Sequence, residues 1–240
     1  MIKIENFSKK YINADFYSAR EINLVIEDGE VLGLVGSNGA GKSTLIKCIT
    51  GILPFHEGKI TIDGFDVSAQ SEQAKRRIGY VPDNHVVYEK LTGREYVNYI
   101  GSLYGAGKRE KTEALEKYAK LFSIENALDT QISNYSHGMK QKICLIGSLV
   151  HHPSLWILDE PMVGLDPQTM AQLCREIRAY ADEGNSVLFS SHNLDVVKKT
   201  CDKAAFIKKG ELAAVVDLRK ERGFDLDGYF MRLNGEGQDV

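Results

Sequence analysis

Residues 36–43 read Gly36-Ser37-Asn38-Gly39-Ala40-Gly41-Lys42-Ser43, the spacing G-x-x-x-x-G-K-S. Glycines at these positions let the backbone curl until several N–H groups point into one concavity. A phosphate chain fits such a nest, against the positive end of a helix that begins near Lys42. Lys42 adds a point charge for the outer phosphates, and Ser43 offers a hydroxyl to Mg²⁺. A second constellation follows at 155–161, Leu155-Trp156-Ile157-Leu158-Asp159-Glu160-Pro161. Here an apolar run ends in two consecutive carboxylates. Side chains alternate along a strand, so the two acids point in different directions and can take different tasks. Asp159 can hold Mg²⁺ through water, while Glu160 can orient or deprotonate an attacking water. Each constellation also has a plain structural reading: a ligand-free glycine turn, and a pair of helix-capping acids. Their joint presence favours phosphate chemistry.

The surrounding pattern supplies the elements that would position these groups. Residues 31–35, Val-Leu-Gly-Leu-Val, form a short apolar strand of the kind covered on both faces, and it feeds the glycine-rich turn. Ile22, Leu24 and Ile26 alternate with polar residues and end at the Asp28-Gly29 turn. Short strands are predicted at 59–62 and 78–81. The period then changes. Thr92-Gly93-Arg94-Glu95 has the form of a capping box. Tyr96, Tyr99, Ile100, Leu103 and Tyr104 follow at helical spacing, and Leu115, Tyr118, Leu121 and Phe122 mark a second helix. A third is predicted at about 138–150. Strands at 155–159 and 187–190 restore α/β alternation. Between them Asp166-Pro167 opens a helix whose buried face carries Met170, Leu173, Ile177 and Tyr180.

Residues 134–142, Asn-Tyr-Ser-His-Gly-Met-Lys-Gln-Lys, resemble the L-S-G-G-Q signature of ATP-binding-cassette (ABC) ATPases, which stands shortly before the Asp-Glu strand. Ser136 and Gly138 match it, whereas His137 replaces a glycine and Met139 the glutamine. The resemblance spans nearly the whole chain. Gly164-Leu165-Asp166 is similar to the D-loop, and Ser190-Ser191-His192 to the H-loop. The segment 78–83 is similar to the lead into the Q-loop, with Asp83 where the family usually has glutamine. The 226–233 tail and the signature variant resemble the exporter-type, ABC-2 group.

The resemblance implies an α/β fold with a RecA-like P-loop NTPase core, a strand-rich N-terminal part and an inserted helical subdomain. The expected division is a core lobe of about 1–84 and 151–216, a helical subdomain of about 85–150 and a tail over 217–240. It implies an ATPase using ATP and Mg²⁺. Gly36, Ser37, Asn38, Gly39, Ala40, Gly41, Lys42, Ser43 and Thr44 would bind the nucleotide. Ser136 and Gly138 would reach ATP held by a second subunit. Ser43, Asp83 and Asp159 would serve the metal, and Glu160, His192 and Lys42 the hydrolysis. Asp83 can approach Mg²⁺ but cannot donate an amide hydrogen bond. Asp166 would lie at the dimer interface. Tyr11 stands where the family places an aromatic that stacks on adenine; Phe16 and Tyr17 are rivals. The implied partners are transmembrane permease subunits and a second ATP-binding subunit, identical or similar, at the cytoplasmic face of the membrane.

Composition agrees with a globular chain of this class. The 240 residues are 43% hydrophobic and 26% charged, with 30 basic against 33 acidic residues and a net charge of −3. That balance gives no footprint for nucleic-acid binding. No run approaches the roughly 18 apolar residues needed to span a bilayer. The four cysteines are dispersed among apolar neighbours and read as reduced, buried thiols. His151-His152 reads as a surface pair without metal support. Two other readings compete. A soluble, non-transport cassette ATPase of translation or DNA repair usually carries two cassettes or a long coiled-coil insertion. A P-loop small-molecule kinase would account for 36–43 but not for Ser136–Gly138 or His192.

Overall fold

The computed structural model describes residues 1–12, 14–84, 86–221 and 223–235. In these residues the chain opens with β1 (Ile2–Lys10) and β2 (Tyr17–Ile26), then β3 (Val31–Val35) and α1 (Lys42–Ile49). β4 (Glu57–Ile62), β5 (Phe65–Asp66), α2 (Ser71–Lys75) and β6 (Ile78–Val81) complete the first third. The chain between β6 and β7 is helical: α3 (Gly93–Leu103), α4 (Lys108–Leu121) and α5 (His137–Leu149). Alternation resumes with β7 (Leu155–Leu158), α6 (Pro167–Asp182), β8 (Ser186–Ser191), α7 (Leu194–Thr200), β9 (Lys203–Lys208), β10 (Glu211–Asp217) and α8 (Leu226–Asn234).

β1, β2, β4 and β5 form an antiparallel sheet in the order β2-β1-β4-β5. The second sheet runs β10-β9-β3-β8-β7-β6 and is parallel except for β10. β3, β7 and β8 are buried at every position; β3 and β7 carry no polar side chain, as burial on both faces demands, and β8 is apolar over Val187–Phe189 with buried serines at its two ends. Their alternation sorts residues between two cores. Leu32, Leu34, Leu155, Ile157 and Leu188 pack toward the antiparallel sheet and α1. Val31, Val35, Trp156, Leu158, Val187 and Phe189 pack on the other face with α5, α6 and α7. The expected mixed α/β architecture is the one observed.

Local signals behave as the sequence suggests. Thr92 Oγ1 accepts the Glu95 N–H at 3.2 Å while the Glu95 carboxylate accepts the Thr92 N–H at 2.9 Å, which closes the capping box of α3. Asp166 caps α6 by accepting the Thr169 N–H at 2.9 Å, with Pro167 at the first helical position. β9, β10 and α7 were not anticipated. The apolar stretch 204–207 carries no flanking glycine on its N-terminal side, and α7 is only seven residues long.

The surface reading of His151 is wrong. Its ring stacks on Tyr104 with centroids 3.8 Å apart, and Nε2 lies 3.1 Å from Ile78 O. The site is a small pocket shared with Tyr80, Tyr96 and Cys144, so an apolar wall surrounds the imidazole. Burial pushes its pKa down to about 4, from an ordinary 6.5, with the neighbouring His152 adding to the drop and the Ile78 carbonyl opposing it. The unfolded chain therefore binds a proton between these values that the folded chain refuses. This contribution to stability is complete above about pH 6.5 and declines as pH falls toward 4. His151→Phe keeps the stack on Tyr104 and removes the titration. Its Tm should fall less than the wild-type Tm between about pH 7 and pH 5. Parallel Tm profiles for the two proteins would contradict this assignment.

Candidate active site at the carboxyl ends of the parallel strands

β3, β8 and β7 are neighbours, and each delivers one catalytic-type segment from its carboxyl end. Ligands of open parallel sheets bind at that edge. β3 runs into residues 36–43, β7 into Asp159-Glu160, and β8 into Ser190-Ser191-His192. A cavity of about 460 Å³ opens there. It is lined by Ser37 to Thr44, Asp83, Glu160, Phe16, Tyr17, Ser18 and the Lys209-Gly210 turn.

The phosphate loop is built as its glycines require. Gly41 has φ 114°, and a Cβ there would stand 2.4 Å from Ser18 O. A Cβ on Gly36 would stand 2.5 Å from Ile207 O. Any side chain at either position would push the loop off the strands behind it. Gly41 is also the N-cap of α1 and supplies no side-chain acceptor, so the first N–H groups of the helix face the cavity uncapped. That is the arrangement an anion completes. Lys42 is nearly buried, and Nζ donates to Gly36 O at 2.6 Å and Ser37 O at 3.2 Å. Burial pulls its pKa below the usual range, against the opposing pull of Glu160 and Asp159.

The two acids diverge as strand alternation demands. Asp159 is fully buried; Oδ1 accepts the Ser190 hydroxyl at 2.6 Å, and Oδ2 has no hydrogen-bond partner among the described residues. Buried acceptors are normally paired, so an open carboxylate oxygen here marks a place for a water or an ion. Glu160 sits at φ 49°, a left-handed backbone held by its N–H donating to Ser190 Oγ at 2.8 Å. Its Oε2 lies 3.0 Å from His192 Nδ1, and its Oε1 lies 3.8 Å from Lys42 Nζ with no hydrogen bond. The residues fit Mg²⁺: Ser43 and Asp83 line the cavity, and Asp159, next in sequence to the lining residue Glu160, keeps a buried carboxylate oxygen, Oδ2, without a hydrogen-bond partner among the described residues. Among the described residues there is no group of three or more His, Cys, Asp or Glu side chains able to hold a metal. That suits an ion whose remaining ligands come from phosphate and water.

The structure separates the other expected residues from this cavity. Tyr11 does not line it; its hydroxyl lies 3.3 Å from Thr44 Oγ1, and the aromatic side of the cavity is made by Phe16 and Tyr17 instead. Ser136 caps α5, its Oγ accepting the Met139 N–H at 3.3 Å, and it lies on the surface with Gly138 beside it. This helix start abuts the Asp166 loop, where a Cβ on Gly164 would stand 2.8 Å from the His137 ring. Gln141, fully buried, donates from Nε2 to Pro161 O and so ties α5 to the segment after Glu160. Sequence reasoning assigned no task to Ser190, Gln141 or Lys209. Only the position of Ser190 directly before the Ser191-His192 pair hinted at its place.

Ser190 is the hinge of this arrangement, since one hydroxyl serves both acids. Ser190→Ala leaves the Glu160 N–H and Asp159 Oδ1 without that partner. The expected loss is about 1–3 kcal/mol of unfolding free energy, read from urea denaturation. An unchanged midpoint would show that water replaces the hydroxyl freely.

Comparison with known proteins agrees with the geometry. Residues 19–163 match the sequence model of the ABC transporter family. The chain is 36% identical over 229 residues to the ABC transporter ATP-binding protein NatA of Bacillus subtilis, covering 93% of this chain and 91% of that one. It is 33% identical over 215 residues to the linearmycin resistance ATP-binding protein LnrL of the same organism, covering 90% and 68%. A solved structure of the ATP-binding subunit of an ABC transporter superposes with a TM-score of 0.91 at 30% identity, over 97% of this chain and 99% of that one. With its phosphate loop, paired acids and histidine at adjoining strand ends, the chain belongs to the ABC transporter family, as an ATP-binding and ATP-hydrolysing subunit.

Proposed function

We propose that two copies of this chain, or one copy and a similar subunit, enclose ATP and Mg²⁺ between them and drive a separate membrane permease. The observation that carries this reading is the split of the phosphate-binding parts. Lys42 and the uncapped start of α1 line the cavity, whereas Ser136 and the start of α5 sit on the surface outside it. A helix N-terminus with a serine cap is a second anion site. It is useful to a nucleotide in this cavity only if it is brought by another subunit. Asp166, beside the same helix start, then lies in the interface.

The residues divide the work as follows. The N–H groups of residues 37–44 cradle the phosphates, and Lys42 exchanges its bonds to Gly36 O and Ser37 O for phosphate oxygens. Phe16, largely exposed at the cavity mouth, offers its ring to the base. Ser43, Asp159 through Oδ2, and Asp83 are the groups that would hold Mg²⁺. When bound, the ion neutralises charge on the phosphates as it develops. Glu160 Oε1, buried and without a hydrogen bond, accepts a proton from an attacking water. His192 Nδ1, 3.0 Å from the other carboxylate oxygen, holds the Glu160 side chain in place and would offer its ring to the terminal phosphate.

Two further features support the permease. No helix among the described residues is long and apolar enough to cross a membrane. Tyr88 and Tyr99 are exposed side by side, their rings edge-on at 5.3 Å, and Val86 beside Tyr88 in sequence is exposed as well. Such an apolar patch is suited to a helix of a membrane subunit at the cytoplasmic face. The name of the relative LnrL, a resistance protein, favours export as the direction.

Mixing of differently damaged subunits tests the composite site. Ser136→Arg subunits are combined with Lys42→Ala subunits, with distinct tags to verify mixed pairs. A site shared between subunits leaves each mixed dimer one undamaged site, so ATPase activity should exceed that of either variant alone. If verified mixed dimers stay as inactive as the parents, each site is built within one chain.

A further inference from the structure

The start of α5 and the chain that leaves Glu160 touch. His137 is the first residue of α5, directly after the Ser136 cap. Gly164 has φ 82°, and a Cβ on it would stand 2.8 Å from His137 Cδ2 and 3.0 Å from Nε2. The imidazole thus occupies the space that a side chain at 164 would need. Gly138 follows the same approach, since its own Cβ would stand 3.8 Å from Gly164 O. One helical turn further, Gln141 lies on the same face of α5 as His137 and donates from Nε2 to Pro161 O. The helix therefore holds the segment 161–164 at both ends.

That segment has little slack. The Val163 N–H donates to Glu160 O at 3.3 Å and the Leu165 N–H to Met162 O at 3.4 Å, while Met162 is buried in the core. Beyond it, Asp166 accepts both the N–H and the hydroxyl of Thr169, which fixes the loop to α6. The left-handed backbone at Gly164 suits glycine and brings the chain close to the ring. With glycine at 137, the residue that His137 replaces in the signature, there would be no ring to seat.

We infer that His137 is a positioning residue for hydrolysis: its ring, seated on Gly164, braces the loop that leaves Glu160. The start of α5, which serves a nucleotide on another subunit, then also sets the hydrolytic acid of its own subunit. Misplacement of a catalytic group by about 1 Å can cost on the order of 10²-fold in rate, so a brace this close to Glu160 bears on turnover. The inference rests on the reading of a site shared between subunits. It differs from a phosphate contact by His137, which would act only on the other subunit's nucleotide.

Doubly tagged mixed dimers with one live site separate these two roles. One subunit carries Lys42→Ala, so the live site combines the phosphate loop and Glu160 of the other subunit with the α5 start of the Lys42→Ala subunit. His137→Ala is then placed in either subunit. Placed in the subunit that supplies Glu160, it should lower single-turnover ATP hydrolysis about ten-fold or more, with ATP affinity and Tm unchanged. His137→Phe in the same place keeps a ring over Gly164 and should retain most of the rate. Unchanged hydrolysis with His137→Ala beside Glu160 would overturn the inference, whatever the other placement does, because His137 would then act across the interface or not at all. Equal losses for His137→Phe and His137→Ala would overturn it by assigning the effect to the imidazole nitrogens. A lowered affinity or Tm in place of a lowered rate would overturn it by making the contact merely structural. If dimers carrying Lys42→Ala alone hydrolyse no ATP, the shared site itself falls, and the inference with it.

Discussion

A carboxylate buried at the end of a parallel strand is the constraint on which this site depends. Asp159 is wholly removed from solvent, yet only one of its oxygens is satisfied, by Ser190. Burying an ionised group without compensation is costly. The fold tolerates it because β8 presents Ser190 next to the end of β7, in parallel register with Leu158 opposite Phe189. The Asp159 N–H is held in turn by Val81 O at 2.9 Å, from β6 on the other side. Three strands thus position one acid. The oxygen they leave open points the chemistry toward a cation and its phosphates.

Glu160 shares the same anchor with the opposite geometry. Its left-handed backbone turns the side chain away from Asp159 and toward Lys42 and His192. A residue held in that region stores strain of order 1–3 kcal/mol, and the Ser190 hydroxyl is what retains it. Lys42 completes the balance. Its ammonium is nearly buried between two backbone carbonyls and 3.8 Å from Glu160. Phosphates entering the cradle would draw Lys42 away from both, which frees Glu160 Oε1 for water.

The features legible in the sequence were those that local chemistry dictates. The octet 36–43 needs its glycines wherever it occurs, and Gly36 and Gly41 here have no room for a Cβ. Capping residues at Thr92, Ser136 and Asp166 act within four positions of themselves, so their helices could be placed. What escaped depends on contacts between distant segments. Tyr11 and Phe16 are aromatic residues at the two ends of the β1–β2 connection, and only the folded chain brings Phe16 rather than Tyr11 to the cavity. His151 looked like half of a polar pair, but Tyr104 and the Ile78 carbonyl enclose it. Ser190 and Lys209 acquire their places from strand order, which no local pattern records.

The proposed hydrolysis rests on Glu160 as the group that activates water. Glu160→Gln keeps the shape of the side chain and its contact with His192 while removing the basic oxygen. The direct measurement is a pair of numbers on that variant, ATP affinity and single-turnover hydrolysis rate with Mg²⁺. Affinity should match the wild type while hydrolysis falls by about 10²–10⁴-fold, the usual worth of a general base. Hydrolysis at the wild-type rate with unchanged affinity would contradict it.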